Sequence, residues 1–348
     1  MKILVTGGCG FIGSNFIKML LKETDYEIVN LDLLTYAGNP ENLKDIADNK
    51  RYAFVKGDIA IKKDVEKAMN GIDTVFHFAA ESHVDNSIND SDPFIKTNVY
   101  GTKTLLDVAR EKNIERFVHV STDEVYGSVE TGKSTERDIL EPRNPYSASK
   151  AASDLLALSY ANTYEMDIVV TRSSNNYGPY QYPEKVIPLF VTNLMEGKKV
   201  PLYGTGENIR DWLYVEDNCR GILCAGEKGK KGEIYNVDGG NELSNIELTK
   251  RILKAMGKGN EMIEHVEDRK GHDLRYSLNS SKLESLGWKP EKNFEEGLKE
   301  TVDWYKNNKA WWKPLKGEKM SFVIKSNLVL DAHPTDATVG VKPLKGNK

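Results

Sequence analysis

The chain has 348 residues, room for about two domains of roughly 150 residues each. Its hydrophobic fraction of 39% is enough to build a core, and 29% charged residues suit a solvated surface. A formal net charge of -4 removes any general attraction to nucleic acid or to anionic lipid.

From residue 1 to about 175, short apolar runs alternate with longer amphipathic stretches. Strands are expected over 2–6, 27–31, 52–56, 74–78, 117–120 and 168–171, and helices over 11–21, 64–69, 98–112 and 147–164. Such alternation builds a parallel sheet with helices on both faces, and ligands then bind outside the carboxyl ends of its strands. The fold class is therefore α/β, a doubly wound parallel sheet over residues 1–175. After Ser173 proline, glycine and tyrosine become more frequent and the alternation less regular. Residues 175–183 read as a loop from Gly178, Pro179 and Pro183. Helices over 184–196, 215–227, 244–256 and 294–308 belong to a smaller mixed α/β region, residues 176–312. This region is expected to supply the substrate pocket and to interleave with the first domain. In the remaining stretch, 313–348, Lys313-Pro314-Leu315-Lys316-Gly317 recurs as Lys342-Pro343-Leu344-Lys345-Gly346. No helical periodicity joins the two copies, and the stretch reads as an extension of unknown role.

Cys9, Cys219 and Cys224 are odd in number and lack metal-ligand spacing, so reduced thiols and no metal are expected. The chain opens on a strand pattern without an apolar segment behind a basic start. No run reaches the ~18 apolar residues of a membrane span, and a cytoplasmic protein with no membrane partner is expected.

Gly7-Gly8-Cys9-Gly10-Phe11-Ile12-Gly13 joins the first strand to the first helix. Glycines allow a tight turn and close approach of backbone to a pyrophosphate, which then meets the amides of the helix N-terminus. Alone the cluster is a weak signal, because any strand–helix turn can hold glycines. Asp32, nineteen residues after Gly13 at the end of the second strand, sharpens it. A carboxylate there can hydrogen-bond the adenosine ribose hydroxyls and would repel a 2′-phosphate, so NAD is expected over NADP. Asp58 and Ile59 follow the third strand and could meet the adenine edge, with a helix N-cap as the competing role for Asp58. Phe78, Ala79 and Ala80 follow the fourth strand, where small side chains let backbone approach the cofactor. His83 is given no chemical role.

Ser121-Thr122-Asp123-Glu124 directly follows the strand 117–120, at the ligand-binding edge. Tyr146 and Lys150 stand one helical turn apart and share a face. Such a pair is common by chance on helices; its weight here comes from position, after an acidic loop and Pro145. A tyrosine base near neutrality needs a downward shift of roughly three units, or about 4 kcal/mol. Lys150 and the charge of oxidised nicotinamide could supply it, and Thr122 is placed to bond the same sugar hydroxyl. Two adjacent acids are surplus to an oxidation. An elimination of water needs them, because one proton leaves a carbon and another must reach a departing hydroxyl. Composition alone would make Asp123 and Glu124 a solvated turn; their place after a central strand reverses that. Neighbouring carboxyls repel in a dry cleft, so one should hold a proton at pH 7.

With these residues stand Thr35-Tyr36-Ala37-Gly38-Asn39, Ala79-Ala80-Glu81-Ser82-His83-Val84-Asp85, Ser174-Asn175-Asn176-Tyr177-Gly178, Glu184-Lys185-Val186-Ile187-Pro188, Arg210-Asp211-Trp212 and Gly271-His272-Asp273. From residue 1 to about Trp312 the chain resembles the dTDP-glucose 4,6-dehydratases of the extended short-chain dehydrogenase/reductases. Thr122-Asp123-Glu124 is the specific element, since sugar epimerases of that family usually carry serine- or threonine-rich sequence there. The resemblance implies a Rossmann-type sheet that holds NAD at Gly7, Gly10, Phe11, Ile12, Gly13, Asp32, Leu33, Thr35, Asp58, Ile59, Phe78, Ala79, Ala80, Ser82, Thr97, Tyr146, Lys150 and Asn176. It implies Tyr146 as the base for oxidation at C4, supported by Lys150 and Thr122. Glu124 would remove the C5 proton, Asp123 would protonate the leaving C6 hydroxyl, and the reduced cofactor would return its hydride to C6. Contacts to the nucleotide-sugar would fall on Ser82, Thr122, Asn175, Lys185, Pro201, Tyr203, Arg210, Asn245, Arg269 and His272.

The resemblance also implies a place in deoxysugar synthesis of the rhamnose type, and a homodimer. Helices over 91–112 and 147–164 would pair with their copies, and Leu105, Leu106, Leu155, Leu156 and Leu158 read as apolar positions to spare. Cys9, Asn86 and Lys270 depart from the usual alanine, arginine and proline. The rival readings are a nucleotide-sugar 4-epimerase, a dehydratase of UDP- or CDP-glucose, and an NAD-sensing protein without catalysis. Asp123 and Glu124 argue against the first, and Tyr146 with Lys150 against the last. The base stays open, because one methyl in an apolar pocket is worth only ~1–3 kcal/mol.

Overall fold

The computed structural model describes residues 1–268 and 272–317. Its strands are Lys2–Thr6 (β1), Glu27–Asp32 (β2), Tyr52–Lys56 (β3), Thr74–His77 (β4), Arg116–Thr122 (β5), Ile168–Ser173 (β6), Asn175–Tyr177 (β7), Val200–Tyr203 (β8), Ile209–Tyr214 (β9), Ile234–Val237 (β10), Glu242–Ser244 (β11) and Ile263–Val266 (β12). Seven of them form one parallel sheet in the order β10-β6-β5-β4-β1-β2-β3. Ile3, Leu4 and Val5 are fully buried, as an unbroken apolar run must be when helices cover both faces. On one face Phe16, Ile17 and Leu20 of the helix Phe11–Glu23 pack with Cys219 and Ile222 of Val215–Lys228. On the other, Leu105, Leu106, Val108, Ala157 and Ala161 pack from Thr102–Glu111 and Pro145–Thr163.

β10 comes from the later half of the chain yet adds itself beside β6, and Val215–Lys228 covers one face of the same sheet. The smaller region holds a β11-β9-β7 sheet and a β12-β8 pair. Its own core draws on the helices Val186–Met195, Asn245–Ala255, Phe294–Asn307 and Lys309–Gly317.

Several expectations need correcting. The segment expected wholly as loop begins with β7, because Asn175–Tyr177 pair in parallel with Trp212–Tyr214 before Gly178 breaks the strand. The helix expected over 98–112 starts as a wider π-type turn, Ile95–Gly101, and becomes α-helical at Thr102. Leu105 and Leu106 are not spare, since both are fully buried in the core, whereas Leu155 is 59% exposed. Finally, the helix Lys309–Gly317 runs through the first Lys-Pro-Leu-Lys-Gly copy with Pro314 inside it. The second copy lies outside the described residues. Among the described residues no helix is long and apolar enough to cross a membrane.

Trp312 is almost fully buried in the smaller core and donates its indole N–H to Tyr305 O at 2.8 Å. Trp312→Ala is expected to lose about 3–5 kcal/mol of stability, read as a lower urea midpoint at unchanged slope.

Candidate active site

The turn between β1 and the first helix is built to be touched. Gly7 has φ 72, and a Cβ on it would lie 2.7 Å from both Cα and N of Ala79, at the exit of β4. A Cβ on Gly13 would stand 2.4 Å from Gly7 O, so only hydrogen fits between helix and turn. Asp32 ties this turn to the next loop: one carboxylate oxygen accepts from Cys9 N and the other from Leu34 N, each at 2.8 Å. Burial raises the Asp32 pKa, and the two amide bonds oppose that. Asp58 accepts from Ala60 N at 2.8 Å and pairs with Lys96 at 3.1 Å. It shapes a turn and does not cap the following helix, whose N-cap is Ile61.

These residues line a cleft of about 260 Å³ at the carboxyl edge of the sheet. All the residues expected to hold NAD line it except Asn176, which lines the adjoining cleft. That second cleft, about 250 Å³, brings together Ser82, Asn175, Lys185, Pro201, Tyr203, Arg210, Asn245 and His272 with Glu124. Thr122 lines neither, and Arg269 lies outside the described residues. Arg210 is buried, donates to Asp273 O at 2.9 Å and lies 4.2 Å from the Tyr276 ring centroid. His272 Nδ1 is 2.7 Å from Asp268, with Tyr203 edge-on to its ring.

The residues expected to react lie together where β5 ends. Asn144 and Ser147 form a reciprocal capping box with Pro145 in the first turn, which starts the helix Pro145–Thr163 at this point and aims Tyr146 and Lys150 at β5. Lys150 Nζ donates to Val120 O at 2.8 Å, and desolvation pushes its pKa down to about 8 while Asp154 opposes the fall. Burial first, and then the charge of Glu124, push Tyr146 above its ordinary range, against a hydrogen bond from Thr122. That is the reverse of what a base needs.

Asp123 opens a short 3₁₀ turn, Asp123–Tyr126, and is buried. Thr122 Oγ1 donates to its Oδ1 at 3.1 Å, while Oδ2 has no hydrogen-bond partner. Burial, then the neighbouring Glu124, raise the Asp123 pKa to about 8, so it is the acid of the pair that holds a proton at pH 7. Glu124 accepts from Asn144 Nδ2 at 3.5 Å.

Sequence reasoning named Ser82 and Lys185 but gave no role to Gln181 or Glu184, and all four line both clefts, at the seam between them. Glu184 accepts from Tyr36 OH at 3.0 Å and stands 3.8 Å from His83 Nε2. Burial raises its pKa. The signal was Pro183 ahead of Glu184-Lys185, which breaks the chain just where a helix must begin. Also missed was Asp154, one turn beyond Lys150, which takes Arg172 Nε at 2.9 Å and lies 3.2 Å from His119 Nε2, all buried.

The family model described as GDP-mannose 4,6 dehydratase matches residues 4–301. A dTDP-glucose 4,6-dehydratase of Streptomyces niveus is 52% identical over 322 residues, 91% of this chain and 96% of that protein. The chain belongs to the nucleotide-sugar 4,6-dehydratase family. Within that family, a dTDP-glucose 4,6-dehydratase of Streptomyces venezuelae solved with NAD bound is 51% identical, with a TM-score of 0.90 over 91% of this chain and 100% of that one. A UDP-glucose 4-epimerase of Thermus thermophilus, also solved with NAD, shares the fold at 32% identity and a TM-score of 0.82, covering 88% of this chain and 100% of its own.

The raised Asp123 pKa has a sign that can be measured. The folded chain holds a proton there that the unfolded chain releases between pH 3.8 and about 8, so this group lowers stability as pH rises through that window. Asp123→Asn is expected to gain stability relative to the parent from pH 5 to pH 8, by more than about 1.4 kcal/mol, the equivalent of one pKa unit. Urea titrations at the two pH values check it.

Proposed function

We propose that this chain is an NAD-dependent dTDP-glucose 4,6-dehydratase that forms dTDP-4-keto-6-deoxyglucose. The observation that carries the reading is the buried Asp123 with Glu124 beside Tyr146 and Lys150, in a chain 52% identical to a dTDP-glucose 4,6-dehydratase. The cleft suits NAD: Gly7, at φ 72 and packed against the Ala79 backbone, keeps the turn tight along the cleft that Gly10 and Gly13 also line, and Asp32 stands at the end of β2 where a ribose would meet it. When bound, NAD supplies a two-electron acceptor for C4 and returns that electron pair at C6. The chain's own residues move the protons. Tyr146 takes the proton of the C4 hydroxyl, with Thr122 as its hydrogen-bond partner and Lys150 keeping positive charge nearby. A positive charge brought into the cleft offsets the upward push of burial and Glu124 on the phenol. Glu124 removes the C5 proton, which a 4-keto group makes acidic, and protonated Asp123 hands its proton to the departing C6 hydroxyl. Lys185, Arg210 and Asn175 face the nucleotide-sugar diphosphate in this reading.

A 4-epimerase would use the same base and cofactor without needing the two acids. Incubation with dTDP-, UDP- and CDP-glucose is expected to give a 4-keto-6-deoxy sugar from the dTDP compound fastest; a C4-inverted sugar would overturn the proposal. Asp123→Asn together with Glu124→Gln should slow product formation by at least about 10²–10⁴-fold while leaving oxidation intact. Mass spectrometry of the bound sugar should then find the 4-keto compound with its C6 hydroxyl retained.

The proposal includes a two-fold dimer and a cytoplasmic place of action. Leu155 is 59% exposed, and Tyr100 and Ile95, on the neighbouring segment that packs against the same helix, are 54% and 51% exposed. A self-complementary pairing of these faces would cover them. Leu155→Glu is expected to raise the dimer dissociation constant at least about tenfold, some 1.4 kcal/mol. Sedimentation of a parent chain that stays monomeric at micromolar concentration would end this part of the reading.

A further inference from the structure

Tyr180, next to Gln181 of the seam, sits in a strained backbone conformation. Its φ of 68 lies in the left-handed region, where a bulky side chain is an outlier and persists only if its surroundings hold it. Lys18 Nζ donates to Tyr180 OH at 2.6 Å and stands 4.2 Å from the ring centroid. The rings of Trp304 and Trp311 meet it edge-on, centroids 4.8 and 5.9 Å away. Asn15 Nδ2 donates to Pro179 O at 3.0 Å, so the helix behind the glycine turn grips the same backbone.

The other side of the clamp is the helix Lys309–Gly317. Trp311 Nε1 donates to Asn42 Oδ1 at 2.8 Å, and Leu315 O accepts from Tyr182 OH at 3.3 Å. Lys316 reaches Asn193 Oδ1 at 2.6 Å and Glu196 Oε2 at 3.0 Å, at the far end of the helix that Lys185 caps. Leu315 and Lys316 belong to the first Lys-Pro-Leu-Lys-Gly copy, beyond the residues that the family model matches.

We infer that Tyr180 and the helix Lys309–Gly317 are positioning elements for the nucleotide-sugar, fixing where Gln181 and Lys185 stand between the two clefts. Neither touches the reacting atoms. The inference rests on the dehydratase reading for the identity of the ligand. A chain that is free to relax at Tyr180 lets the seam drift, and Lys185 then meets a diphosphate less well.

The test uses the full chain, with dTDP as probe in calorimetric titration, beside KM and kcat for dTDP-glucose. Tyr180→Gly accepts the left-handed backbone but removes the ring; Trp311→Leu removes the far wall of the clamp. Both are expected to raise the dissociation constant of dTDP and the KM about tenfold, with kcat within about threefold of the parent. Tyr180→Phe keeps the ring and should stay within about threefold of the parent in all three values. An unchanged dissociation constant in a folded Tyr180→Gly or Trp311→Leu chain overturns the inference, as does a loss confined to kcat. Should both variants fail to fold, Lys18→Met, which removes the cation of the clamp along with its pairing to Asp45 at 2.8 Å, must still weaken dTDP binding, and an unchanged value overturns it. Failure of the parent to make product from dTDP-glucose refutes the dehydratase reading instead, and UDP then serves as probe in the same comparison.

Discussion

Asp123 and Glu124 stand side by side at the end of a central strand, and a dry cleft does not hold both as anions. Much of the site follows from that repulsion. Burial first, and Glu124 beside it second, raise the Asp123 pKa to about 8 and push the phenol of Tyr146 up as well. The surroundings answer with cations placed at a distance. Lys150 is turned to a backbone carbonyl, and beneath it Asp154 is neutralised by Arg172 with His119 alongside. The fully buried Asp154 would be ruinous without Arg172, and Arg172 would be equally so without Asp154. Two layers of charge are thus stacked along the helix Pro145–Thr163, one near its start and a compensated one at its middle.

The parallel sheet was legible because its strands are unbroken apolar runs separated by stretches of helical period. Ile3-Leu4-Val5 can hardly be anything else once Gly7 to Gly13 follow it. The candidate catalytic residues were picked out for a different reason: Asp123, Glu124, Tyr146 and Lys150 sit immediately beyond a strand and at a helix start, where local signals are strongest. What failed depended on distant partners. Leu105 and Leu106 share a helical pattern with exposed Tyr100, and only the tertiary packing of the sheet decides which of them is covered. Asn175–Tyr177 carry no strand signal and pair only because β9 lies beside them. The helix Lys309–Gly317 hides behind Pro314, which argues against a helix locally and is outweighed by Trp311 and Trp312 finding partners. Glu184 stands in the Glu184-Lys185-Val186-Ile187-Pro188 stretch, but its place between the two clefts comes only from the tertiary fold.

The smaller region is therefore less a separate body than a set of walls hung on the sheet. Its helices keep their own core around Trp212, Tyr214 and Tyr305. Its loops return to the cofactor side at Tyr36–Glu184, Lys18–Tyr180 and Trp311–Asn42. Tyr36, Tyr180 and Trp311 act at this boundary through a polar tip as much as through a ring. That use suits tyrosine and tryptophan, whose rings pack while their polar tips bond to protein partners.

The late arrival of β10 has a consequence for how the molecule is made. When the chain has emerged as far as Ser173, β6 is a bare edge, with Val169 and Val170 beside unpaired amides and carbonyls. Its covering strand lies some sixty residues further on, after β7, β8 and β9 and the helices Val186–Met195 and Val215–Lys228. Exposed apolar edges of this kind recruit other chains, and non-local pairing is slow. A nascent chain stalled before residue 234 would be sticky in a way the finished protein is not. The pace of synthesis through residues 174–237, and the chaperones on hand meanwhile, therefore govern how much of it survives to become enzyme.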